Sequence, residues 1–471
     1  MFDAATSSPR QRRVAVVGGG WAGCAAAATL TSAGVPVTLF EQATTLGGRA
    51  RRVMHEGVAL DNGQHLLIGA YRQTLELVAR VRGAGSAPEL FRRLPLTLHS
   101  FGDSEAIRFG AWRAPAPLHL AGGLLSARGL SLGERVALFA DIRRLRHTGF
   151  VRPDSETVSQ CFAGSRRRVF VAIWKPLCLA ALNTPPEYAS ARIFAQVLRA
   201  AFTGSASNSD FLLPVGDLST SFPDAAARFI EQRGGIIRKG ISVRAIARRG
   251  TDVALSWSTG SETFTGAIVA VGPHQLSATI GPDAVTDDAW RGSLAQVAAF
   301  AYESITTIYC AFAAPIPFAA RMLRLDDKPG QWIFDRGAVL AIDRGAVLAS
   351  DATRKEANLY AVVISGSGPH DALEHTTLAA QVEAQLRRLA PNLPALVWSR
   401  VFAEKRATYA CVPGMTRPAC GRVAPGIFLA GDYTDPEFPA TLEAATRSGV
   451  NAAHALIAEY GGAPCPIANI A

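Results

Sequence analysis

The sequence predicts an α/β fold, a parallel sheet wound by helices into which a second, α+β unit is inserted. Three observations carry this reading. Residues 14–41 run through an apolar stretch, a glycine turn, an alanine-rich stretch and a second apolar stretch ending in an acid. A similar apolar stretch ending in Gly-Asp lies near the far end, at residues 426–432. Between them the character of the chain changes at about residue 83, returns near 211, and changes again from about 291 to 401.

Residues 14–17 (VAVV) form a short continuous apolar run, the pattern of a strand buried on both faces. Gly18, Gly20 and Gly23 follow as G-x-G-x-x-G, with Trp21 and Ala22 opening the next helix. The first glycine turns tightly, the second lets backbone approach a pyrophosphate, and the third lets helix pack on strand. Alanine-rich residues 22–33 favour a helix that Gly34 ends as a C′ glycine. Its N-terminal N–H groups and partial positive charge aim at phosphates. Residues 37–40 give the second strand, and Glu41, followed by Gln42, stands where a carboxylate accepts both ribose hydroxyls. Together these predict a Rossmann-like dinucleotide unit, and Glu41 favours FAD or NAD over NADP. Leu46, Gly47, Gly48 and Arg49 then add a second glycine turn with an arginine, which suits a longer dinucleotide and selects FAD.

An acid followed by GGR resembles the FAD-dependent amine oxidase and phytoene desaturase superfamily. That resemblance implies a Rossmann-like FAD-binding domain with an inserted substrate domain. It also implies that Asp432, after Gly431, holds the ribityl and pyrophosphate part of FAD. The resemblance further implies that a helix from about 441 to 459, opening at Thr441 and Leu442, points its N-terminus at the flavin ring. Gly63, Gln64 and His65 lie in an Asn-Gly turn after a strand at 57–60; the resemblance implies that they pass beside the isoalloxazine and that Val243 packs beside adenine. His65 reads equally well as a hydrogen-bonded structural histidine.

The resemblance divides the chain into an FAD-binding domain of residues 1–82, 212–290 and 402–471 and a substrate domain of residues 83–211 and 291–401. Length alone, 471 residues with 49% hydrophobic and 18% charged, suggests two or three domains. Leu118, Leu120, Leu124 and Leu125 lie in an apolar stretch that reads as core before membrane, followed by a helix to about 147. Residues 222–232 read as a helix ended by Gly234 and Gly235, 236–246 as one strand, 258–260 as a hairpin turn and 267–271 as a strand. Asp335 to Ala341 and Asp343 to Ala349 are identical copies of DRGAVLA, read as a local duplication that lengthens a loop or hairpin.

No apolar run reaches the roughly twenty residues of a spanning helix; the best, 294–320, is broken by Glu303, Pro315 and Pro317. Seven cysteines without C-x-x-C pairs, and no secretory h-region, read as reduced cytoplasmic thiols, and no metal is expected. The net charge of +10 concentrates its arginines at 143–152 and 166–168 among apolar residues. That mixture suits peripheral contact with an anionic membrane, with a plain solvated face as the alternative. Nucleic acid is not expected, because no recognition motif accompanies the charge.

The motifs VAVVGGGWAG, LGGRARR, LDNGQHLLIGAYR, WKPLCLAALNTP and GDYTDPEFPATLEAATRSG occur in order across nearly the whole chain. Together they resemble the hydroxysqualene dehydroxylase family of bacterial hopanoid synthesis. That resemblance implies reductive removal of the hydroxyl of hydroxysqualene, a long-chain isoprenoid, at the expense of reduced FAD. A carotenoid-type desaturase running hydride the opposite way is the alternative. A non-catalytic lipid carrier is a third, and the intact FAD motifs count against it. Where amine oxidases place a caging aromatic, this chain has Pro439, Ala440, Thr441 and Leu442, which argues against an amine. The catalytic acid is not legible; His65 and Lys175 are the candidates. Only one dinucleotide fingerprint is present, so electrons are expected from an external donor.

Overall fold

The computed structural model describes residues 12–83, 87–101, 107–281, 288–317, 320–337 and 358–461. Its first sheet has the strand order Ile236–Lys239, Val37–Glu41, Val14–Val17, Gly266–Val269, Ile427–Leu429 and Gly421–Ala424. The first five are parallel and the edge strand is antiparallel. Every residue of Val14–Val17 and Gly266–Val269 is buried, as strands covered on both faces must be.

Helix Trp21–Ser32 lies on this sheet and is buried almost all round. The reason is the helix Leu442–Glu459, which packs across it. At Gly449 an added Cβ would stand 2.1 Å from the Ala22 carbonyl oxygen and 3.0 Å from the Ala25 Cβ. Alanines on one helix and glycine on the other let the two backbones approach, which fixes the turn that precedes Trp21.

The second sheet is antiparallel, in the order Met322–Arg324, Trp332–Asp335, Leu359–Ser365, Tyr302–Phe312 and Leu396–Tyr409. Strand residues alternate between faces. Ile308, Cys310, Ile333, Val362 and Ile364 pack with Leu378, Val382 and Leu386 of helix His375–Leu389. Ile305, Trp332, Phe334 and Val363 belong to the opposite face, which looks into the cavity described below.

Several sequence expectations change here. Residues 236–246 are two strands: Ile236–Lys239 ends the parallel sheet, and Val243–Arg249 starts a separate antiparallel one. Gly240, at φ +74, turns the chain between them. The apolar stretch from 294 divides into helix Asp288–Ala298 and strand Tyr302–Phe312. Among the described residues no helix is long and apolar enough to cross a membrane. Of the four leucines read as core, Leu124 is buried while Leu118 and Leu125 are exposed. Beyond residue 337 the two DRGAVLA copies lie outside the described residues.

Gly449→Ala forces a methyl into the Ala22 carbonyl, and overpacking of this kind costs about 1–3 kcal/mol. Its urea unfolding midpoint should fall accordingly, with an unchanged m-value. A midpoint equal to wild type would mean that the two helices have slack at this crossing.

Candidate functional site

One cavity of about 580 Å³ runs between the two sheets. Pockets for cofactors and small ligands occupy roughly 300–1,000 Å³. At one end two glycine turns stand back to back. Gly18 has φ +105, where an added Cβ would lie 2.6 Å from the Ala270 carbonyl oxygen. Gly47 N–H donates to the Gly19 carbonyl at 2.8 Å, which binds the second turn to the first. Between them the space is open: a Cβ on Gly20 would meet nothing nearer than the Gly48 Cα at 3.9 Å. Helix Trp21–Ser32 starts here with no side-chain cap and no acid in its first turn. Uncapped N–H groups facing a groove free of Cβ atoms are what a pyrophosphate needs.

Glu41 closes the same end. Its Oε2 accepts from Gly19 N–H at 2.6 Å and its Oε1 from Ala43 N–H at 2.8 Å. The backbone bonds fix the carboxylate and leave lone pairs on both oxygens for a diol. Gln42 and Val243 line the wall beside it.

Further along, Arg49 and Asp432 meet, 383 residues apart in sequence. Arg49 Nη2 lies 2.7 Å from each Asp432 oxygen, and Nη1 donates to the Ala407 carbonyl at 2.7 Å. Thr441 caps helix Leu442–Glu459 by accepting from Ala444 N–H at 3.1 Å. Glu443 turns away and accepts from the Gln73 and Thr74 N–H groups, which holds helix Arg72–Arg82 and the preceding Tyr71 against the cavity.

The turn Asn62–His65 crosses the middle of the cavity. Gln64 N–H donates to Thr307 Oγ1 at 3.2 Å, and its Nε2 is spent on the His65 carbonyl at 2.8 Å. Gln64 Oε1 is buried and has no partner among the described residues. His65 Nδ1 lies 2.7 Å from the Gly63 carbonyl. A carbonyl only accepts, so Nδ1 carries the proton and Nε2 is the basic nitrogen. Burial, with Arg49 nearby, pushes His65 below the ordinary histidine range, against the Gly63 bond that favours its charged form. His65 lines the cavity, and burial disfavours the protonated form that a general acid needs. Lys175, the other candidate, opens helix Lys175–Leu182 but is not among the residues lining the cavity; Leu177, Ala181 and Leu182 are.

The opposite end is apolar. Phe211, Met322, Trp332, Phe334 and Val363 enclose it with Leu66. A second cavity of about 400 Å³ adjoins and shares Leu66, Phe211 and Met322 with the first. These three side chains form the partition between two chambers.

Of the residues singled out from sequence for the cofactor, all but Gly23 and Gly63 line the cavity. Gly23 instead faces the turn: a Cβ there would lie 1.8 Å from the Gly18 carbonyl oxygen. Gly63 supplies the carbonyl that orients His65. Sequence reasoning missed Tyr71, His274, Glu404 and the aromatic end at Phe211, Trp332 and Phe334. Tyr71 lies within the LDNGQHLLIGAYR motif but was not singled out, no motif marks the others, and only the sheet register puts Phe334 beside Met322 and Trp332 beside Val363. Among the described residues no cluster of His, Cys, Asp or Glu could hold a metal.

Residues 21–457 match the family profile for flavin-containing amine oxidoreductases. A hydroxysqualene dehydroxylase of Rhodopseudomonas palustris is 26% identical over 95% of this chain and 99% of its own. A zeta-carotene desaturase of Synechocystis is 23% identical over 95% and 97%. Among solved structures, cyclohexylamine oxidase of Brevibacterium oxydans superposes with a TM-score of 0.68 at 15% identity, covering 96% of this chain and all of that one. A putrescine oxidase superposes with 0.69 at 16%, covering 95% and 99%.

Asp61, at the base of the Asn62–His65 turn, is buried; its Oδ1 accepts from Leu218 N–H and its Oδ2 faces buried Arg336 at 3.8 Å. Burial raises its pKa from 3.8 to about 6, with Arg336 and the Leu218 N–H acting against it. The folded state therefore holds this proton more tightly than the unfolded one. That contribution to stability is complete below about pH 3.8 and is lost as pH rises through about 6. Relative to Asp61→Asn, wild type should lose up to about 3 kcal/mol of unfolding free energy between pH 4 and pH 7. Denaturant titrations of both proteins across that range measure it, and a constant difference would be incompatible with the raised value.

Proposed function

The chain belongs to the flavin-containing amine oxidoreductase family and is an FAD-dependent oxidoreductase, and from that premise we propose that it removes the hydroxyl group of hydroxysqualene to give squalene. The observation that carries this reading is the apolar end of the cavity, with its aromatic walls and second chamber. A long-chain isoprenoid needs such a length of apolar wall, and in the second chamber the Asp335 carboxylate is already paired with Arg321. Similarity to the dehydroxylases along almost the whole of both chains supports it.

In our reading FAD lies along the cavity from the glycine turns to the Asn62–His65 loop. Gly18, Gly20, Trp21 and Ala22 take the pyrophosphate with Gly48, while Gly23 keeps the turn closed. Glu41 and Gln42 take the adenosine ribose, Val243 the adenine. Arg49, Gly431 and Asp432 take the ribityl stretch, with Thr441 and Leu442 at the ring. Bound reduced FAD supplies a hydride to carbon. The C–O bond of the substrate would break, a C–H bond would form at the same carbon, and the hydroxyl would take up one proton from solvent and leave as water. Gln64 Oε1, a buried acceptor without a partner, orients the hydroxyl by receiving its proton in a hydrogen bond. Phe211, Trp332 and Phe334 exclude water and offer aromatic faces to the cation-like carbon. The substrate unit is assigned to residues 83–211 and 291–401. Reducing equivalents come from a separate donor, and the arginine-rich surface meets an anionic membrane, from which so apolar a substrate is drawn.

The similarity to zeta-carotene desaturases favours a second reading, in which hydride leaves the isoprenoid instead. Incubation of the purified enzyme with hydroxysqualene under reducing conditions, and with phytoene and zeta-carotene under oxidising ones, separates the two. Squalene from the first incubation alone is the expected result; desaturated carotenoid without squalene would overturn the dehydroxylase reading.

Glu41→Ala and Asp432→Ala should each lower the flavin-to-protein absorbance ratio of the purified enzyme. Each removes charge-assisted hydrogen bonds of about 1.5–3 kcal/mol, roughly tenfold or more in affinity. Full retention of FAD by both variants would displace the cofactor from this cradle.

A further inference from the structure

The helix Leu132–His147 carries apolar residues on two sides: Leu138 and Leu145 are buried in the core, and a second group faces outward. Leu132, Val136 and Phe139, spaced i, i+4 and i+7, share one face and are 78%, 61% and 56% exposed. Two carboxylates of the same helix, Glu134 and Asp141, are buried. Glu134 closes a capping box with Ser131 and pairs with Arg168, and Asp141 accepts from Trp174 Nε1–H at 2.9 Å. Leu138, Leu145 and these two carboxylates hold the inner side of the helix, so the outward apolar group belongs to a firmly packed element.

The preceding helix, Leu118–Ser126, repeats the pattern: Leu118 and Leu125, seven residues apart, are 61% and 70% exposed. The two helices are joined. Arg135 donates to the carbonyls of Leu125, Ala127 and Leu130, and the Trp112 ring lies against Gly122. The Arg166 guanidinium covers Gly133. Eight of the twelve large exposed apolar residues among those described fall within residues 112–171, so the exposure is concentrated in this region. The same span carries ten arginines against four carboxylates, two of which are the buried pair.

We propose that the exposed sides of helices Leu118–Ser126 and Leu132–His147 lie in the interfacial layer of an anionic bilayer. Leu132, Val136 and Phe139 reach below the headgroups, and Arg143, Arg146 and Arg166 meet the phosphates. The inference rests on the membrane contact proposed above and names the surface that makes it. Charge decides the occupant. A second copy of this chain would bring the same arginine-rich span against itself, whereas anionic headgroups complement it and acyl chains cover the leucines. The surface also lies close to the substrate chambers. Gly123 packs on the Gly110 carbonyl of strand Arg108–Gly110, that strand pairs with Thr97–His99, and Thr97 lines the second cavity.

The test is co-sedimentation of the FAD-loaded full chain with phosphatidylcholine vesicles, with and without phosphatidylglycerol, at low and high salt. Wild type should bind the anionic vesicles, with binding weakened by salt. Val136→Asp/Phe139→Asp, with flavin content and melting temperature unchanged, should lower the partition coefficient by at least about tenfold. Leu118→Ser/Leu125→Ser serves as a second variant should the first fold poorly, and Met54→Asp, exposed elsewhere, should change nothing. Wild type that ignores anionic vesicles would overturn the membrane contact itself. Binding that survives both double variants would overturn this surface alone. Sedimentation velocity showing a wild-type dimer that the variants dissociate would make the face a contact between copies and overturn the lipid assignment.

Discussion

The arrangement of the site depends on a chain of contacts that tolerate no side chain. The turn at Gly18 closes because Gly23 has no Cβ to strike the Gly18 carbonyl. The helix beginning at Trp21 stays where it is because Gly449 lets Leu442–Glu459 lie against the Ala22 carbonyl. The second turn hangs on the first through the Gly47 N–H bond to Gly19. These three contacts set the width of the groove between Gly20 and Gly48. A pyrophosphate is bound by backbone donors, whose position cannot be adjusted by a rotamer, so the backbone itself has to be placed by packing.

Legibility from sequence followed the range of the interactions. The run from Val14 to Glu41 was readable because strand, turn, helix and acid are all local signals, and the structure returns them within a residue or two. The second sheet was not readable. Its strand Tyr302–Phe312 is largely buried, so it shows an apolar run and no alternation, and an unbroken run can be helix, strand or spanning segment. Residues 236–246 looked continuous because propensity continues through Ile241, yet a glycine in the left-handed region sends the two halves to different sheets. Arg49 was legible as a motif and Asp432 as another, but their mutual bond was not, since nothing in either segment encodes the other. Leu118 and Leu125 were misread by the usual rule that apolar means inside, a rule that assumes water on the other side.

The cavity divides its work by chemistry along its length. At the glycine end the groups are backbone donors, a fixed carboxylate and an ion pair, all suited to a charged and hydroxylated ligand. At the far end they are rings and branched aliphatics. The Asn62–His65 turn is the border, and it is pinned on both sides: Tyr309 donates to the Asp61 carbonyl, and Gln64 N–H bonds Thr307 on the same strand. Arg336 reaches back from the second sheet to the Pro214 and Gly216 carbonyls and faces Asp61. A buried, imperfectly matched ion pair of this sort costs stability in its own right and earns a place chiefly by fixing one arrangement of the elements around it.

The order of strands in the first sheet carries a consequence for synthesis. Val14–Val17 sits between partners drawn from residues 37–41 and 266–269, and the next strand, Ile427–Leu429, comes from near the far end. The helix that covers Trp21–Ser32 is made later still. A ribosome therefore exposes an alanine-rich, apolar N-terminal unit for most of the time it takes to translate the chain, with its covering helix still missing. Such a unit is a natural client for chaperones. The cavity is also incomplete until the last strand and helix have docked, because Asp432 and Thr441, which line it, arrive with them. A ligand that fills this cavity binds only after those late elements have docked, and its binding stabilises the closed arrangement.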